Sequence, residues 1–103
     1  MGDSGRVSAP SPRLLARIQR DFPPGSWQRV VQKLEAIPDD HDAYSQDRER
    51  IQAAMVLGAA GDWQRFTRLV ELLRIDWRDV LMAGGLGHGG WADVLDRELT
   101  PEP

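Results

Sequence analysis

The sequence predicts an all-α protein: a single compact, irregular bundle of five to six short helices, with no sheet. Three observations predict it. Apolar residues recur at helical spacing in successive short stretches, while no stretch shows sustained period-two alternation or a β-branched run. Cap residues and glycine or proline stops separate those stretches. Residues 45–83, SQDRERIQAAMVLGAAGDWQRFTRLVELLRIDWRDVLMA, read as two full helices and a short third, against which the other helices are laid.

Residues 1–11, MGDSGRVSAPS, are rich in Gly, Ser and Pro and lack periodicity, so a disordered lead is expected. Ser11 before Pro12 is a start signal, a cap followed by proline at the first helical position. The first helix then runs from Pro12 to about Asp21. Leu14, Leu15, Ile18 and Phe22 line one side; Arg13, Arg17 and Arg20 line the other. Pro23-Pro24-Gly25 ends it. Ser26 is the expected cap of a second helix, Trp27 to about Ala36, with Trp27, Val30, Val31, Leu34 and Ile37 as its apolar stripe and Gln28, Arg29, Gln32 and Lys33 outward. Pro38 stops it, and an acidic loop, PDDHDAY, follows.

The central helix is expected from Gln46 to about Ala60, with Ser45 as cap and Asp47 and Glu49 favouring the positive end of its dipole. It is apolar nearly all round, so several neighbours should bury it. Its small residues, Ala53, Ala54, Gly58, Ala59 and Ala60, allow close approach. Gly61 suits a left-handed turn and Asp62 caps the next helix, Trp63 to about Arg74. There Phe66, Leu69, Val70 and Leu73 face in; Gln64, Arg68 and Glu71 face out. So short a connection makes the two helices antiparallel. Asp76 caps a shorter helix, Trp77 to Ala83, and Asp79 completes a capping-box pattern. GGLGHGG, residues 84–90, reads as a flexible connection. A last helix, Trp91 to about Leu99, turns Trp91, Val94 and Leu95 inward, and residues 100–103 fray. One domain over residues 12–99 results.

Trp63, Trp77 and Trp91 each open a helix at a spacing of fourteen, and Trp27 follows Ser26 in the same way. That period is shorter than any standard solenoid repeat. The pattern reads as shared helix-start chemistry: a cap, then a large aromatic anchoring the first turn. Trp63 and Trp77 read as core, and Trp91, behind the glycines, as the least securely buried.

Composition excludes some chemistry. The chain has no cysteine, hence no disulfide, thiolate nucleophile or Cys-ligated metal. No apolar run approaches the roughly 20 residues of a membrane span, and no signal-peptide core opens the chain. A cytoplasmic protein without membrane attachment is expected. The net charge of −3 is not a general nucleic-acid footprint. GGLGHGG precedes a helix, yet it has neither the Lys-Ser/Thr of a phosphate loop nor a strand before it, so it reads as a turn. His41 among Asp39, Asp40 and Asp42 has metal-ligand chemistry, but an exposed loop makes a poor rigid shell, and solvated charges are the reading preferred. The serines sit in the tail and at caps, and the carboxylate pairs Asp39/Asp40 and Asp93/Asp96 lack signs of burial. No catalytic, metal or cofactor site is expected, and the chain is read as a non-enzyme.

Two surfaces remain. Leu86, His88 and Trp91 form a candidate partner surface, for another protein or a second copy, because an aromatic on an adjustable element suits a contact. Arg13, Arg17, Arg20, Arg29 and Lys33 form a candidate basic surface for nucleic acid, set against pairing with the acidic later half. The Ala54-to-Trp63 stretch has only a weak helix-turn-helix spacing.

Glu49-Arg50-Ile51-Gln52-Ala53-Ala54, the Gly61-Asp62 turn and Asp76-Trp77-Arg78-Asp79-Val80-Leu81 together resemble a group of small uncharacterised bacterial proteins with the same three motifs. The likeness covers about residues 48–99 and implies a helical fold and no site. The expectation is therefore a non-catalytic accessory or protein-interaction protein of the bacterial cytoplasm, with a small nucleic-acid-binding or regulatory protein as the alternative and an enzyme third.

Overall fold

The computed structural model describes residues 9–37 and 47–100. The acidic loop with His41, the Ser45 cap, the first eight residues and the last three lie outside them. The protein is all-α: the described residues form α1 (Pro12–Asp21), α2 (Ser26–Glu35), α3 (Arg48–Ala59), α4 (Trp63–Ile75), α5 (Trp77–Ala83) and α6 (Trp91–Leu99), with no strand.

α3 is the axis. Ile51, Ala53, Ala54, Met55, Val56 and Ala59 are all fully buried, and α1, α4, α5 and α6 pack around it. Small residues make this possible. A side chain at Gly58 would meet Leu69 Cδ1 of α4 at 3.1 Å and the Ala83 carbonyl at 3.3 Å. A side chain at Gly84 would run into the Ala54 backbone. α4 returns along α3 through Ala60 and Gly61, both left-handed at φ 51° and 81°. At Gly61 a Cβ would also stand 2.6 Å from the Asp21 carbonyl, so this turn touches the end of α1.

Several caps follow the sequence signals. Ser11 accepts from the Leu14 N–H, Asp62 from Gln64 and Arg65, and Asp76 from Arg78. Others correct them. Asp47, not Ser45, caps α3, accepting from the Arg50 N–H at 3.0 Å. Ser26 is the first helical residue of α2 rather than its cap; Gly25 holds that position at φ 94°, and Gln28 Oε1 accepts from its N–H at 2.8 Å. The capping box at Asp76 is not completed, because the Asp76 N–H already donates to the Leu72 carbonyl.

The core is a continuous cluster reaching every helix. Phe66 is fully buried, edge-on to Phe22 at 6.1 Å and stacked on Trp63 at 5.9 Å. These contacts join α1 to α4. Trp63 and Trp77, expected in the core, are only half-buried and pack at its rim.

Candidate protein-interaction surface

The basic stripe of α1 is spent inside the protein. Arg13 donates Nε and Nη2 to the two Glu49 oxygens, both at 2.8 Å, and Nη1 to Asp96 at 2.9 Å. Arg17 donates to Asp21 at 2.8 Å and to the Glu98 carbonyl and carboxylate at 2.5 and 3.2 Å. α1 is thereby clamped to α3 and α6 by charge-assisted hydrogen bonds. The hydrogen bond from Arg13, opposed by burial and helped by Ser11, lowers the Glu49 pKa; the hydrogen bonds of Glu49 and Asp96 raise that of Arg13. Burial works against the Arg17 charge, but Asp21 and Glu98 more than offset it and its pKa rises. The cavity of about 180 Å³ between α1 and α6 is lined by these same compensated arginines. The five-residue basic surface expected from the sequence is therefore divided. Arg13 and Arg17 are neutralised by carboxylates. Arg20 stays 60% exposed, 3.9 Å from Asp21, and Arg29 and Lys33 stand in solvent on α2.

Of the expected partner surface at Leu86, His88 and Trp91, one member is taken into the core. Leu86 has no exposure at all. Its position comes from a Schellman end to α5: the Leu86 N–H donates to Leu81, the Gly85 N–H donates to Met82, and Gly85 takes φ 76°. Arg50 of α3 then donates Nε and Nη2 to the Leu86 carbonyl at 3.0 and 2.8 Å, and its guanidinium lies 4.5 Å over the Trp91 ring. Trp91 is half-buried under it. Only His88 is exposed, its Nδ1 accepting from the Gly90 N–H at 3.2 Å. The glycine segment is thus a built turn, held by a side chain 36 residues earlier.

Among the described residues a groove lies between α2 and α4. At one end Arg29 lies 5.9 Å over the Trp63 ring, and a hollow of about 450 Å³ runs past Gln32, Lys33 and Ala36. It continues, through Lys33 and Ala36, into a second hollow of about 510 Å³ floored by Ile37, Val70 and Leu73, with Glu71 and Arg74 on the far wall. The floor is apolar and the rim charged. The helical repeat explains why. Arg29, Lys33 and Ala36 flank the buried Val30–Leu34 stripe of α2, as Trp63, Val70 and Arg74 flank the buried stripe of α4. The two flanks face each other. Single apolar residues are also exposed elsewhere, Ile75 at 80% and Met82 at 68%, as is ordinary for a protein surface.

Arg29 and Lys33 were in the sequence-predicted basic surface; Ala36, Val70, Leu73 and Arg74 were not. Their spacing was readable, but which flank of α2 meets which flank of α4 is a tertiary fact. Among the described residues no three ligating side chains come together to hold a metal ion, and no helix is long and apolar enough to cross a membrane. No family model, curated protein or solved structure matches this chain.

Proposed function

We propose that the chain is a non-catalytic interaction protein of the bacterial cytoplasm, and that a helix of a partner protein docks in the α2–α4 groove. The groove itself carries this reading: an open trough with an apolar floor and charged rims suits helix-in-groove recognition. The division of the basic surface supports it too, since two of its five cations are occupied by internal carboxylates. The rival is nucleic-acid binding, favoured by the exposure of Arg20, Arg29 and Lys33.

Capture from a bacterial lysate separates the two, with wild type and Ala36→Glu as baits, with and without nuclease. Ala36 is exposed, so the substitution charges the groove without entering the core. The expected result is a specific protein that survives nuclease and is lost with the variant. Retention that vanishes with nuclease or moderate salt would move the function to nucleic acid.

A further inference from the structure

We infer that α6 is a strap: it releases from the bundle as a unit, about the glycines before it, and its hold is set by ion pairs to α1. Apolar burial supplies only part of that hold. Leu95 and Leu99 are the buried residues of α6, while Trp91 and Val94 are half-buried and Asp93, Asp96 and Arg97 face solvent. α3, by contrast, buries seven of its twelve residues. Arg13 and Arg17 supply the polar part. Arg13 Nη1 donates to Asp96 at 2.9 Å, and Arg17 Nη1 to the Glu98 carboxylate at 3.2 Å. Those two acidic side chains are 68% and 38% exposed, so salt screens both pairs.

Release strands no buried charge. Arg13 keeps Glu49 of α3, and Arg17 keeps Asp21 of its own helix. Arg50 loses the Trp91 ring but keeps the Leu86 carbonyl, which belongs to the turn and not to α6. The usual penalty for parting an ion pair, a cation left without a partner, is therefore absent. The boundary of the moving part is also defined. Leu86 is fixed in the core, whereas a Cβ at Gly89 would meet nothing within 4 Å and one at Gly90 only the His88 ring, at 3.5 Å. Gly90 offers α6 no side-chain cap. A helix of nine residues does not hold its shape away from its neighbours, so the released strap unwinds while α3, α4 and α5 stay packed on one another.

The test is native-state amide hydrogen exchange on the full chain, followed by NMR at constant pH in about 0.05 and about 0.5 M sodium chloride. The slowest amides of α6 should share one protection level, on the order of tenfold or more below the slowest of α3. Salt should lower that level severalfold. Asp96→Asn/Glu98→Gln, a pair of substitutions at accessible side chains, should lower it about fivefold and remove most of its salt dependence. Cooperative protection of α3 in the variant would establish that it folds. Amides of α6 as well protected as those of α3 would mean that α6 opens only with the whole bundle. Protection that decays steadily toward Leu99 would mean fraying from the end. Either result overturns the proposal, and so does a protection level that salt, or the double variant, leaves unchanged.

Discussion

Glu49 holds two elements at once. It accepts from Ser11 Oγ at 2.5 Å as well as from Arg13, so the cap of α1 and its first arginine both lean on the first turn of α3. Its pKa lies below the ordinary 4.5 because the hydrogen bond from Arg13 favours the charged form. A carboxylate depressed on folding contributes stability fully above its unfolded pKa and loses it as pH falls through the folded value. Glu49→Gln should therefore cost about 1 kcal/mol at neutral pH, a modest figure because the Arg13 side chain is 36% exposed. Urea midpoints should show the gap to wild type closing as the pH drops below 4.5. A gap independent of pH would mean that packing, not charge, is lost. Arg50 offers a second check. Arg50→Ala removes two hydrogen bonds to Leu86 and the cation over Trp91. A loss of about 1–2 kcal/mol and an altered Trp91 emission are expected. No role for Arg50 was legible in the sequence, since no local pattern can name a carbonyl so far along the chain.

Helix boundaries were the most legible feature. α1, α5 and α6 begin and end as cap, proline and glycine signals require, and α4 runs one residue beyond its expected end. The errors have a common cause. Ser26 and Ser45 were chosen as caps because serine is a good one, but Gln28 and Asp47 reach the free N–H groups instead. The glycine segment was misread for a different reason. Composition alone suggested flexibility, whereas Gly85 followed by Leu86 fits a Schellman end with its apolar C″ residue, and that signal was there to use. Gly84 matters in another way, through close approach to α3. Gly84→Ala should destabilise by about 1–3 kcal/mol or more, read as a fall in thermal midpoint, because its Cβ would meet Ala54 backbone that cannot swing aside. Gly89→Ala is the control: a Cβ there meets nothing within 4 Å, so little change is expected.

For the molecule as a whole, the central place of α3 was legible from its nearly all-round apolar character, and the structure buries it on four sides. The distribution of charge was not. A row of arginines on an isolated helix looks like a ligand surface. Only the fold shows that Arg13 and Arg17 meet Glu49, Asp96, Asp21 and Glu98, while Arg29 and Lys33 of α2 stay exposed beside an apolar trough. The most direct test of that placement is a two-dimensional amide NMR titration of the labelled chain with an amphipathic helical peptide. Shifts clustered at Arg29, Lys33, Ala36, Val70 and Arg74 are predicted. Shifts centred instead on Arg17 and Arg20 of α1, or on His88 and Trp91, would contradict it and return the binding surface to one of the two regions that the sequence first suggested.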